Sequence, residues 1–240
     1  MNKSFILRGR QSTVLCKSLG RNDPDRLSVY SIEHQLGWTL DMHPLYIPSF
    51  CILLVAFISC DSCMRNGVRC LDYEVIQSHE DYEERRYPSL VWVSASENAK
   101  SKADVSRKLI KKLYAYLGGE NERGERLDMV VPVRTTKSPQ GSFNHYTMAV
   151  ALKPEQSENP PQPTDPSVSV VREPATTYMT RSFGGQIRQE SKWDDHAGTL
   201  KSSTTNDKKV DNTFYYMSVY DSPWTEVNRL NEVWLKKREN

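Results

Sequence analysis

The chain has 240 residues, 38% of them hydrophobic and 26% charged, which allows one sizeable core or at most two small ones. Its 32 basic and 30 acidic residues leave a net charge of +2, and 8 basic and 5 acidic residues fall in 1–70, leaving 24 and 25 for the rest. A nearly neutral domain has no cationic excess for displacing counterions from phosphates, so a nucleic-acid binder is not expected. All five cysteines (Cys16, Cys51, Cys60, Cys63, Cys70) lie in the first 70 residues, which excludes a thiol enzyme or a disulfide scaffold in residues 71–240.

Residues 1–41 carry Lys3, Arg8, Arg10, Lys17 and Arg21 before the first acid, Asp23. This stretch reads first as a non-structural extension and second as a mitochondrial presequence. Residues 45–60 hold no charge, and Phe50 to Ile58 is an unbroken apolar run, short for a bilayer span and of the length of a signal-peptide core. Translation from Met42 would make 42–63 an export signal and the protein secreted. The other readings of the run are a membrane-anchoring or hairpin segment, and the alternative compartment is the cytoplasm. Cys60 and Cys63 have no second Cys/His pair at zinc-finger spacing, and Met64 stands where covalent haem attachment needs His. These cysteines are read as incidental, or as one structural disulfide in an exported chain.

The folded domain is placed at 70–240. Tyr73 to Ile76 and Tyr82 to Tyr87 read as strands, and after Pro88 a further strand runs from Leu90 to Ala95. Asp104 to Leu117 is the strongest helix: Val105, Leu109, Leu113, Tyr116 and Leu117 share an arc of about 120°, and Gly118-Gly119 ends the run. Arg107, Ile110 and Tyr114 lie outside that arc on a second face, with Lys108, Lys111 and Lys112 further round. Such residues are common on a solvent face; the alternative is a surface lining a ligand, with Arg107 at its rim. Met129 to Val133 is an apolar strand whose Pro132 suits an edge or a bulge, and Phe143 to Leu152 alternates as a half-buried strand. The proline-rich stretch 159–166 reads as an extended connection. Val168 to Val171, then Thr177 to Phe183, then a helix over Gln186 to about Lys201 repeat the earlier order. The predicted fold is therefore α+β, with two β-β-α-β copies. Phe214 to Tyr220 and Glu232 to Leu235 supply the last strands.

Several blocks occur in an order that resembles the SOUL/haem-binding protein family over about 165 residues. They are Tyr82-Glu83-Glu84-Arg85-Arg86-Tyr87, Gly118-Gly119-Glu120-Asn121-Glu122-Arg123-Gly124, Met129-Val130-Val131-Pro132-Val133, Pro160-Pro161-Gln162-Pro163, Arg181-Ser182-Phe183-Gly184-Gly185, Tyr220-Asp221-Ser222-Pro223-Trp224 and Asn231-Glu232-Val233-Trp234-Leu235. The resemblance implies a pseudo-two-fold, distorted, barrel-like antiparallel sheet flanked by two helices, and a cleft that binds haem or free porphyrin non-covalently without catalysis. It places Arg107 against a propionate and Ile110, Leu113 and Tyr114 on the apolar wall, with Lys111 beside them. Ala115 and Thr225 stand where a relative carries lysines, and Arg86 stands where one branch carries an axial histidine, so loose, mainly hydrophobic binding that need not involve a protein ligand to the metal is expected. His79, His145 and His196 sit in no haem motif, and no metal site is assigned. No Gly-rich phosphate loop, Gly-x-Ser-x-Gly elbow or His-Glu-x-x-His helix is present, which argues against an enzyme. The competing reading is a protein-interaction or signalling module that keeps the fold without the ligand. A monomer is the default expectation.

Overall fold

A computed structural model of the chain describes residues 63–238. The readings made for 1–62, extension, signal and apolar run alike, lie outside the described residues. Among the described residues no helix is long and apolar enough to cross a membrane.

The described chain opens with a two-stranded hairpin, β1 (Met64–Arg65) and β2 (Val68–Arg69), closed by a Cys63–Cys70 disulfide. The first half of the fold comprises β3 (Glu74–Ser78), β4 (Glu83–Tyr87), β5 (Leu90–Ala99), α1 (Lys102–Leu117), β6 (Met129–Gln140) and β7 (Phe143–Leu152). The second half is β8 (Val168–Glu173), β9 (Thr176–Gly184), α2 (Ser191–Ser203), β10 (Tyr216–Val219) and β11 (Leu230–Lys236). Nine strands form one sheet in the order β3-β4-β9-β11-β10-β6-β7-β5-β8, and every pairing in it is antiparallel.

With β3, which adds to the outside of β4, left aside, that order is a palindrome about the β10–β6 pair. The first half contributes β6-β7-β5 and the second β10-β11-β9, and each half lends one strand to the other: β8 pairs with β5, and β4 with β9. The repeat expected from the sequence is thus present, and each copy closes with one more strand, β7 or β11. The proline-rich connection stays extended and is pinned by a hydrogen bond from the Tyr116 hydroxyl to the Pro161 carbonyl, 2.8 Å.

Alternation within the strands decides what each face of the sheet carries. Val91, Val93 and Ala95 of β5 and Tyr146, Met148 and Val150 of β7 pack with Val105, Leu109, Leu113, Tyr116 and Leu117 of α1. Met179 of β9 and Val233 and Leu235 of β11 pack with Trp193, Ala197 and Leu200 of α2 in the same way. The intervening residues Trp92, Ala149, Ala151, Tyr178 and Trp234 form a separate cluster with Leu90 and Tyr87 on the other face.

On that face the sheet curls. Glu173, at the end of the last strand in hydrogen-bonding order, reaches Arg134 of β6 at 2.9 Å, Lys236 of β11 at 3.0 Å and Tyr178 of β9 at 2.8 Å. Only a half-barrel brings those strands within reach of one carboxylate. Pro132 sits where the β6–β7 register shifts between Val130 and Arg134, the bulge that the sequence allows, although in a central strand.

The helices follow their sequence cues. The Ser101 backbone N–H and hydroxyl both donate to Asp104 at the start of α1, and Gly119, with φ +115°, ends it where a Cβ would meet the Gly124 carbonyl at 3.2 Å. α2 starts at Ser191, five residues later than the expected Gln186. Glu190 is drawn away to α1, where its carboxylate accepts from the Lys102 N–H (2.8 Å) and the Tyr146 hydroxyl (2.9 Å) and pairs with Lys137 (3.0 Å). It therefore closes one of the open N–H groups of the other helix.

Candidate functional site

Helix α1 separates the residues nominated for binding. Arg107, Lys111 and Tyr114, spaced i, i+4 and i+7, form one exposed stripe, with Tyr114 at 54% exposure. Ile110 is half-buried and packs against the α1 core cluster, as do Met129 and Val133 of β6. Leu113 lies under the helix, fully enclosed at 0% exposure, because it belongs to the arc that docks on the sheet. Arg107 and Lys111 have no ion-pair or hydrogen-bond partner among the described residues, whereas Lys108 pairs with Glu97 and Lys112 donates to Ser167 (2.8 Å). The stripe thus offers two unneutralised cations beside an aromatic ring and an aliphatic side chain, and no described segment covers it.

The loop between β10 and β11 carries a second exposed apolar group. Trp224 and Val227 are 89% and 74% exposed, with Thr225 between them. The base of the loop is held by Asp221, which accepts from Arg65 (2.8 Å), Asn66 (3.1 Å) and the Leu230 N–H (2.7 Å), so the disulfide-closed hairpin braces it. Met129 packs against both the α1 cluster and the cluster of Cys70, Val131 and Tyr220 beneath this loop.

None of the domain's histidines lies on α1. The His79 ring stacks on Tyr82 at 4.2 Å, and His145 Nδ1 is 2.8 Å from the Asn98 side-chain oxygen. His196 stacks on Phe183 at 3.7 Å, where burial and the nearby Arg181 hold its pKa below the ordinary imidazole value. Arg86 is exposed on β4.

Sequence reading did not single out the other face of the sheet. At its centre Glu232, fully buried, accepts from Arg85 (2.9 Å), Ser182 (2.8 Å), Tyr220 (2.7 Å) and the Trp234 indole (2.7 Å). Burial alone would raise its pKa; Arg85 and the three neutral donors outweigh that and hold the carboxyl below its usual range. Nearer the β8 edge a hollow of about 540 Å³ is walled by Trp92, Val171, Phe214 and Tyr216 and edged by Arg134, Arg172, Glu173 and Lys236. The Arg134 guanidinium lies 3.5 Å from the Trp92 ring centre and 4.6 Å from that of Tyr216. A smaller hollow of about 340 Å³ is lined by Tyr73, Arg86 and Tyr87. Neither is lined by the α1 stripe. The Trp92-Val93-Ser94 alternation signals a second occupied face of β5, but only the pairing of β5 with β7 and β8 shows what shares it.

Two exchanged halves closing one curled sheet, with ligand-sized hollows and a bare cationic helix flank, define a two-fold-repeated α+β half-barrel. The sequence profile described as "SOUL heme-binding protein" matches residues 68–236, and the chain belongs to that family. It is 34% identical over 158 residues to human "Heme-binding protein 2", covering 64% of this chain and 77% of that one. It is 27% identical over 159 residues to "Heme-binding protein 1" of Xenopus tropicalis, covering 65% and 83%. Among solved structures, the EcmrR C-terminal domain is similar at a TM-score of 0.49 and 12% identity, over 66% of this chain and 99% of that one.

Proposed function

We propose that this chain holds a haem or a free porphyrin non-covalently on the outward flank of α1, as a carrier or buffer and not as an enzyme, with no obligatory axial ligand from the protein. One observation carries the reading: Arg107 and Lys111 stand unpaired one turn apart, with Ile110 and Tyr114 beside them. A porphyrin is a broad apolar disc with two propionates, and it needs an apolar wall with cations at the rim. The residues present fit those needs. Ile110 and Tyr114 would lie against the macrocycle, and Arg107 and Lys111 would meet its acidic edge. Membership of the family, and the names of its relatives, support the same ligand. The engagement of His79 with Tyr82, of His145 with Asn98 and of His196 with Phe183 favours binding without an imidazole on the metal.

Titration of the protein with hemin, and separately with metal-free protoporphyrin, tests this. Both should give saturable Soret changes at micromolar protein, and R107E combined with K111E should weaken both by about tenfold, a loss of roughly 1.4 kcal/mol. The absence of a saturable change in the wild-type protein overturns the reading. Binding confined to hemin and lost with one histidine would overturn the ligand-free coordination.

The exposed Trp224 and Val227 favour a second reading, a protein-docking module on the same fold. In that case R107E with K111E leaves partner capture intact and a Trp224→Ala variant loses it. The Cys63–Cys70 disulfide supports an oxidising compartment, and an export signal compatible with it is cleaved before Cys63.

A further inference from the structure

The hollow on the concave face of the sheet is distinct from the α1 flank. Residues of β5 that look toward α1 are Val91, Val93 and Ala95, whereas Trp92 and Ser94 of the same strand line the hollow on the opposite side. Its volume of about 540 Å³ falls within the range of roughly 300–1,000 Å³ usual for small-molecule pockets.

The balance of hydrogen-bonding groups on its wall is lopsided. The one carboxylate there, Glu173, is already saturated by Arg134, Lys236 and Tyr178. Arg134, itself only 9% exposed, spends Nη1 on Glu173 and Tyr178, and its guanidinium makes no other hydrogen bond among the described residues. The Trp92 indole N–H is buried without an acceptor. The hydroxyls of Thr136 and Ser138 have no partner among the described residues, and both line the hollow. Two cations, Arg134 and Lys236, face the single negative charge of Glu173, while Arg172 at the edge spends its guanidinium on the Ser157 and Glu158 carbonyls. The hollow therefore has donors and positive charge to spare and no free carboxylate, and its apolar walls are ring faces: Phe214 lies 5.3 Å edge-on to Tyr216, and Trp92 carries the Arg134 plane.

We infer that this hollow is a second binding site, one that takes a small aromatic monoanion, with its ring against Phe214 and Tyr216 and its carboxylate or sulfonate toward Arg134 and Lys236. A cationic aromatic is excluded by the charge excess, and a purely apolar guest would leave the spare donors of Arg134 and Trp92 unsatisfied. The flat tetrapyrrole proposed for α1 occupies the other face, so the two ligands bind without competing.

The test uses the full chain and 8-anilinonaphthalene-1-sulfonate as probe, followed by dye fluorescence. Dye binding should saturate at one site, be displaced by 2-naphthoate and not by 2-naphthylmethylamine, and persist in the presence of hemin. Thr136→Phe, which fills the floor of the hollow, should weaken the dye by about tenfold or more and leave the hemin titration unchanged. Lys236→Met, at a position whose side chain is 36% exposed, should weaken it several-fold and carries the test should T136F melt early. R107E with K111E should leave the dye unaffected, so that loss of hemin binding alone reports on α1. Dye affinity unchanged in both hollow variants, displacement of the dye by the amine or by hemin, or loss of hemin binding in T136F would each overturn the second site.

Discussion

Arg85 and Glu232 show what one buried charge demands of its surroundings. The carboxylate has four donors and the guanidinium also pairs with Glu83 at 2.9 Å and stacks on Tyr73 at 4.2 Å, so neither ion is left to face apolar side chains alone. Arg85→Met removes one partner and strands the other. Urea denaturation should show a loss of about 3–5 kcal/mol, whereas a double change of Arg85 to Met and Glu232 to Gln should recover part of it. Glu173 makes a prediction in pH. Burial would raise its pKa, but Arg134 and the hydrogen bonds from Lys236 and Tyr178 prevail and hold it below the ordinary 4.5. As pH falls the unfolded chain takes up this proton first. The stabilisation is therefore complete above about pH 4.5 and disappears as pH drops through the lower folded value. Thermal melts between pH 3 and pH 7 should show this slope, and Glu173→Gln should flatten it while lowering the melting temperature at neutral pH. At this scale helical spacing alone set Arg107, Lys111 and Tyr114 apart from the docking arc, and they are exposed, whereas Ile110 packs partly against the core. The sequence was silent on Arg85, Arg134 and Glu173, whose charge partners Glu232, Glu173 and Arg134 lie 39 or more residues away along the chain.

At the scale of elements, α1 was legible to within two residues of its start because two independent signals agree: apolar spacing from Val105 to Leu117, and the Gly118-Gly119 stop. α2 was placed too early because Gln186 to Glu190 has helix-compatible composition, and composition does not show that Glu190 is claimed by α1. The Glu190 carboxylate joins the start of one helix to strands β6 and β7 through Lys102, Lys137 and Tyr146. Glu190→Ala should therefore cost about 1.5–3 kcal/mol in chemical denaturation. It should also speed amide exchange in the first turn of α1 more than in the first turn of α2, since it is α1 that loses an acceptor. β6 ran longer in the structure than the expected Met129 to Val133. Thr135 and Thr136 are strand formers whose polarity hides them from a hydrophobicity reading until cross-strand partners are known.

Across the whole molecule, the repeat is the organising fact. Each half lends a strand to the sheet of the other, so β4 against β9 and β8 against β5 tie the two into one cooperative sheet. The curl of that sheet yields two environments with opposite uses: a helix-bearing side where a bare cationic flank suits a flat amphipathic ligand, and a concave side where unspent donors collect. The sequence by itself determined the α+β class, the two copies and their order, the strongest helix and its outward stripe, because these rest on local periodicity and on blocks of residues met in series. Only the tertiary structure decided that β4 and β8 are exchanged, that Leu113 is enclosed, and that Trp92, Arg134, Glu173 and Tyr216 share one hollow. Each of those depends on which strands lie side by side, and strand neighbours distant in sequence are chosen by the closure of the whole sheet and not by any local pattern along the chain.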